Sequence, residues 1–262
     1  MIRIRVPAST SNLGSGFDTL GLALSLYLTV DVEPTADTAL AGSIAAVEGE
    51  GADELPRAPG NLIDRAFRLA AEREGCTPPM VTFRVRNQIP VSRGLGSSAS
   101  AVVAGLAAFS LASGRNLPVG RLLAYGSEIE GHADNVAPSL VGGFVTCCTV
   151  GTAAPVVVRS DWPPGLDVVA VIPEIRMSTD EARAILPRDV PREDAIYNVQ
   201  RAALFVAAVA AGDPRAIREA MRDRLHQPYR ERLLPGLANA LAIPDIAGLA
   251  GVAMSGAGST VL

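Results

Sequence analysis

The 262-residue chain contains no lysine: all 23 of its basic residues are arginine. That absence excludes a lysine Schiff base, and with it ordinary pyridoxal-phosphate chemistry. It also excludes the lysine of a Walker A loop. Arginine suits planar, bidentate recognition of carboxylate or phosphate. Positive charge is in deficit overall. The formal net charge of −4 argues against a nucleic-acid-binding surface. No apolar run of about 18 residues occurs and no basic-then-apolar leader opens the chain, so neither membrane spanning nor secretion is expected. The expected location is the cytoplasm. Cysteine is scarce, at Cys76, Cys147 and Cys148, with no metal-ligand spacing and no C-x-x-C, so reduced structural thiols are expected. With 48% apolar and 19% charged residues, the chain is long enough for one large or two modest globular domains.

What is present centres on residues 90–99, P-V-S-R-G-L-G-S-S-A. Two glycines one residue apart and two hydroxyls feed a run of small, helix-tolerant residues. Gly94 and Gly96 fit a tight turn and nothing more. They fit equally a loop whose amides, with the positive end of the following helix, cradle a phosphate.

The alternation of Ile2, Ile4 and Val6 predicts a strand stopped by Pro7, then a polar loop over residues 8–18. A strand over 20–32 follows, and Asn61 is the expected N-cap of a helix over 62–74. Strands are expected over 80–86, 143–150 and 155–159, with helices from 98 to 114 and over 118–129. S-D-W-P-P-G at 160–165 is the best linker candidate, because its prolines and glycine break both periodicities. Beyond it, strands over 166–172 and 251–255 accompany helices over 178–186, 193–211, 214–225 and 234–242. The mixture predicts an α+β, two-domain chain, 1–161 and 162–262.

Asn12 and Asp18 flank Gly14 and Gly16, where a carboxylate could hold an ammonium or merely close an Asx-turn. Glu128, Glu130, His132, Asp134 and Asn135 crowd the exit of one helix. Magnesium on a nucleotide takes hard oxygen ligands, which a helix-borne Glu and the Ser98 hydroxyl would supply. Thr179 and Arg183 lie four apart on one helix. With Arg230, Arg183 could clamp a carboxylate. The C-terminal S-G-A-G-S-T-V-L is a second Gly-rich turn.

These motifs carry a resemblance. P-V-S-R-G-L-G-S-S-A is similar to the phosphate-loop signature P-x-x-x-G-L-G-S-S-A of the GHMP kinase superfamily, which includes galactokinase, homoserine kinase and mevalonate kinase. V-P-A-S-T-S-N-L-G-S-G-F-D-T-L-G-L-A-L and E-G-H-A-D-N-V-A-P-S-L-V-G-G look like the homoserine kinase forms of that superfamily, and S-G-A-G-S-T-V-L resembles its third motif. The resemblance implies a ribosomal protein S5 domain 2-like N-terminal domain, a ferredoxin-like C-terminal domain and an active site between them. It implies transfer of phosphate from ATP, with Mg²⁺, to the L-homoserine hydroxyl on the route to threonine, and a homodimer. Carried over to this chain, it places Pro90, Arg93, Gly94, Leu95, Gly96, Ser97, Ser98, Ala99, Gly256 and Gly258 around the nucleotide, with Asn61 near adenine. Ser98 and Glu128 would hold the metal, with Glu130 the second choice. Asn12, Asp18, His132, Asp134, Asn135, Arg183 and Arg230 would surround homoserine, and Thr179 would face the transferred phosphate. Asp134 and Asn135 are expected to orient the substrate, with base catalysis by Asp134 a lesser possibility.

The third motif departs from the family at Ser259, where proline is usual. The chain ends at Leu262 in an expected strand where relatives continue, so apolar sheet surface is expected to be exposed in the second domain. Another GHMP kinase of mevalonate type, or a non-catalytic binding protein on this scaffold, are the alternative functions. Mevalonate-type members usually carry a lysine in the first motif, which this chain lacks.

Overall fold

The computed structural model describes residues 1–151, 153–244 and 246–262. Strand β1 (Ile2–Asn12) pairs antiparallel with β2 (Gly16–Pro34), the longest strand and the axis of a six-stranded sheet. Its other edge is shared. Residues 28–34 pair with β4 (Val81–Asn87), and residues 20–22 pair with β5 (Phe144–Val150). Strand β3 (Ile44–Gly49) runs parallel to β4, and β6 (Ala153–Ser160) closes the far side against β5.

The expected stop at Pro7 and the expected loop over 8–18 are both corrected. The strand runs on through Pro7 with a register shift between Pro7 and Ala8, because an irregularity on an edge strand spares the missing N–H a partner. What remains of the loop is the tight turn at residues 13–15. Its entry passes through the left-handed region at Asn12 (φ 70) and Leu13 (φ 48). These are positions where Asn is tolerated and leucine is strained.

Helix α1 (Leu62–Arg73) is capped by Asn61, whose side-chain Oδ1 accepts from the Asp64 amide at 3.1 Å. With α2 (Ser97–Ala112) and α3 (Val119–Glu130) it covers one face of the sheet. Helix α2 is apolar and small around nearly its whole circumference, as befits a helix sunk in the core. The main core joins Val30, Phe83 and Val85 of the sheet to Phe67, Val102 and Phe109 of the helices.

A short helix, α4 (Val136–Val141), precedes β5, and α5 (Thr179–Ala184) and α6 (Arg192–Ala211) follow the sheet. A second core sets Leu13, Leu20 and Phe144 against Phe205 of α6. Trp162 packs there too, with its ring 6.0 Å from Phe144 and 6.5 Å from Phe205. The segment expected to act as a linker is therefore anchored through its indole.

The helix expected over 214–225 breaks up. A 3₁₀ turn at Pro214–Ala216 leads to α7 (Ile217–Ala220), and the chain then bends because the Asp223 carboxylate captures the amides of Leu225, His226 and Gln227. Helix α8 (Gln227–Arg230) follows, and α9 (Leu237–Leu241) covers the core of the shorter helix expected over 234–242. The strands expected over 166–172 and 251–255 are reduced to bridges of Val171 and Met254 to Val261. Val169 and Val171 are exposed. Among the described residues no helix is long and apolar enough to cross a membrane.

Candidate active site

The three sequence motifs meet in one cleft of about 450 Å³. Contact between backbones brings them together. Gly94 (φ +75) lies so close to the C-terminal turn that a Cβ there would sit 2.2 Å from the Ser255 carbonyl oxygen. At Gly96 (φ +67) it would meet the Ser9 hydroxyl at 2.0 Å. The Ser9 amide donates to the Leu95 carbonyl at 3.2 Å, and the Thr260 amide to the Arg93 carbonyl at 3.1 Å. The glycines thus serve more than a tight turn: they let the loop lie between the first strand and the last residues of the chain.

Gly96 is also the N-cap of α2 and brings no side-chain cap, so the first-turn amides at Ser97, Ser98 and Ala99 face the cleft without one. Buried Leu95 and Ala99 form its apolar floor. Arg93 lines the cleft; its Nη2 donates to the Glu174 carbonyl at 2.6 Å, while its buried Nη1 has no hydrogen-bond partner among the described residues. Asn61 lines it as well. Its amide donors are committed to the carbonyls of Gly42 and Ala58, so its role at this wall is to hold the loop and α1 in place. Pro90 does not reach the cleft.

Of the two carboxylates expected as metal ligand, Glu128 first and Glu130 second, only Glu130 lines the cleft. Glu128 points away and pairs with Arg73, whose guanidinium hydrogen bond holds its carboxyl below the usual carboxylate range. Glu130 stands at the cleft instead, accepting from the Ser98 hydroxyl at 2.6 Å. Two residues along a helix turn a side chain by about 200°, so only one of the two carboxylates can face the loop. Among the described residues no cluster of three or more His, Cys, Asp or Glu could cage a metal. One carboxylate plus one hydroxyl is the donor set that suits a Mg²⁺ carried in on nucleotide phosphates.

At the other end of the cleft Asp18 and Arg183 form a two-pronged ion pair, with Nη2 to Oδ1 at 2.7 Å and Nη1 to Oδ2 at 3.0 Å. Both side chains remain 37% exposed, which leaves the pair within reach of a ligand. The hydrogen bond it donates to Asp18 raises the Arg183 pKa above its ordinary value. Asn12 is buried. Its Nδ2 donates to the Gly256 carbonyl at 2.8 Å and its Oδ1 accepts from the Asp18 amide at 3.0 Å. It therefore shapes the turn that presents Asp18.

Arg230 is buried yet lines the cleft, and burial, with the Arg183 charge nearby, brings its pKa down to about 10. Asn135 is fixed by two hydroxyls, donating to Ser11 at 2.8 Å and accepting from Ser9 at 3.0 Å. Thr179, at the first turn of α5, is exposed and lines the cleft, as do Gly256 and Gly258.

His132 meets the buried Asp134 carboxylate through Nδ1 at 2.6 Å. Burial disfavours the charged ring, but the Asp134 hydrogen bond and charge outweigh it and leave the pKa raised. The sign of the resulting pH dependence follows. The stabilisation is complete below the unfolded value of about 6.5 and is lost as pH rises through the higher folded value. The urea midpoint of the wild type should exceed that of His132→Gln most clearly below about pH 6.5, with the gap shrinking on the alkaline side. A gap that widens as pH rises would contradict the pairing.

Several contributors were not singled out in the sequence. They are Ser9 and Ser11, which hold Asn135, Ser255, which donates to the Gly94 carbonyl, and Phe17, whose ring lies 5.6 Å from the Arg183 guanidinium. Serines near glycines give no distinctive signal, but Phe17 stands between two motif residues in a polar stretch, and that contrast was readable.

Comparison with known proteins agrees with this geometry. Residues 61–143 match the GHMP kinases N terminal domain, and residues 205–262 match GHMP kinases C terminal. Homoserine kinase of Aquifex aeolicus is 40% identical over 261 residues, spanning 100% of this chain and 86% of the relative. That of Thermus thermophilus is 42% identical over 259 residues, covering 99% and 85%. The crystal structure of homoserine kinase from Cytophaga hutchinsonii superposes with a TM-score of 0.84 at 28% identity, covering 99% of this chain and 83% of that one. Shared along nearly the whole length at about 40% identity, this similarity means that the chain belongs to the homoserine kinases of the GHMP kinase family.

Proposed function

We propose that this protein transfers the terminal phosphoryl group of ATP to the side-chain hydroxyl of L-homoserine, giving O-phospho-L-homoserine and ADP. The observation that carries the reading is the polarity of one cleft. One end offers a glycine loop, uncapped helix amides and the Ser98–Glu130 pair. The other offers the Asp18 carboxylate and two guanidinium groups, Arg183 and Arg230, with Asp134 alongside held by His132. A zwitterion suits that second end. Its ammonium can take Asp18 while its carboxylate takes the arginines, so opening the Asp18–Arg183 pair leaves no charge unmatched.

Phosphoryl transfer is mainly positioning and charge stabilisation. The amides at 94–98 would hold the triphosphate, with Thr179 facing the group in transit. Ser98 and Glu130 would hold Mg²⁺, which supplies neutralisation of the phosphate charge when bound. His132 engages Asp134, so we assign Asp134 and Asn135 to orienting the substrate. In this reading residues 1–161 carry the nucleotide and 162–262 supply the substrate arginines, and the family's homodimer and a cytoplasmic location belong to the same proposal.

A coupled ADP-release assay with ATP and Mg²⁺ tests it against L-homoserine, mevalonate and no acceptor. Release that depends on homoserine is the expected result. Turnover with mevalonate alone would overturn the substrate, and no nucleotide consumption with any acceptor would favour a binding protein.

A further inference from the structure

Behind the substrate end of the cleft lies a histidine that the proposed reaction does not itself touch. His226 is fully buried, and its Nε2 lies 2.7 Å from the Gly14 carbonyl oxygen. A carbonyl only accepts, so the ring carries its proton on Nε2. Nδ1 is then a lone pair, and it faces Nη1 of Arg230 at 3.2 Å. A guanidinium only donates, so this tautomer, and no other, makes the contact attractive. Burial pushes the ring's pKa down and favours the neutral form that the contact requires. The charged groups that act on the ring are Asp223, whose Oδ2 is 3.5 Å from Nε2, Arg230 on the other side, and the Asp18 carboxylate. The Asp223 carboxylate is largely spent on backbone amides and Asn198.

Arg230 is held on three counts. Its Nε donates to the Ala182 carbonyl at 3.0 Å, and Nη1 donates to the Gly256 carbonyl at 3.0 Å as well as to His226. Nη2 has no hydrogen-bond partner among the described residues, while the side chain lines the cleft. The ring of Phe17 stacks on His226 at 5.1 Å and lies 5.4 Å from the Arg230 guanidinium, closing the wall.

We infer that His226 is a positioning residue that, through its Nδ1 lone pair, fixes the Arg230 fork so that one edge is presented to the substrate carboxylate. The inference rests on the kinase reading above.

Two replacements separate its two contacts. His226→Asn keeps an acceptor near Nδ1 and loses the bond to Gly14, while His226→Gln keeps a donor near Nε2 and loses the acceptor for Arg230. Both lose the stack on Phe17, so damage to the fold alone should fall on them equally. Expected is a rise of roughly tenfold in the homoserine KM for His226→Gln, the scale of one hydrogen bond to a charged group. Its ATP KM should stay within about twofold, and His226→Asn should stay close to wild type for both substrates. Equal losses in the two variants, a larger loss in His226→Asn, or parallel changes in both KM values would overturn the inference.

Should neither variant fold, the wild-type protein still decides. With two histidines in the chain, ¹⁵N-histidine labelling reads each ring directly. His226 must appear neutral with its proton on Nε2, and a proton on Nδ1 rules the contact out. Homoserine-dependent ADP release by the wild type is scored separately, so failure of the kinase reading is not confused with failure of this one.

Discussion

Glu130→Gln should lower kcat by roughly 10²–10³-fold, the scale on which removal of one charge-stabilising group acts, while Glu128→Gln should stay within about twofold of wild type. The asymmetry follows from where α3 aims the two carboxylates. Glu130 meets the Ser98 hydroxyl at the mouth of the phosphate loop, whereas Glu128 is tied to Arg73 at the surface. A surface ion pair of that kind is worth little. Steady-state kinetics over a range of Mg²⁺ concentrations checks the assignment. The Glu130 variant should also need more metal to reach its reduced maximum. A large loss in the Glu128 variant with little in the Glu130 variant would reverse it.

Gly94→Ala should cost roughly 3 kcal/mol of stability or more, which places it among the severe single substitutions. Positive φ alone would not do this. Gly114 on the far end of α2 has a similar angle, φ +71, but open space where a Cβ would go, so Gly114→Ala should cost only about 1 kcal/mol. At Gly94 the added atom meets backbone on every near side, the Ser255 oxygen at 2.2 Å and the Gly258 oxygen at 2.8 Å. Backbone cannot rotate aside as a side chain can, so either the loop or the C-terminal turn must move. Urea unfolding of the two variants provides the comparison. Equal costs would show that backbone conformation, and not the close approach, dominates at Gly94.

How much of this was legible in the sequence depends on whether the signal was local. The N-cap at Asn61, the strands with strict alternation and the glycine loop were all readable, because each is decided by a few adjacent residues. The strand through Pro7 was not, since a register shift against β2 decides it. The break after Ala220 was hidden for a similar reason: it depends on Asp223 turning back to catch three amides.

The choice between Glu128 and Glu130 was open to a better reading. Leu122 and Gly126 are buried on one side of α3, and Glu130 continues that series at intervals of four. Glu128 falls outside it. The ion pair of Asp18 with Arg183 joins residues 165 positions apart, and no local pattern announces such a contact. The resemblance of the motifs brought both residues to the site, while only the folded chain shows them joined.

One peptide oxygen ties these elements together. The Gly256 carbonyl accepts from both Asn12 and Arg230, and the Gly256 amide donates to the Ser11 carbonyl. In the proposed reaction the turn packed against Gly94 would thereby also anchor the Arg230 cation, coupling the nucleotide end of the cleft to the acceptor end at this point. Remodelling the pocket for a different alcohol by reshaping residues 255–258 would disturb nucleotide handling at the same stroke.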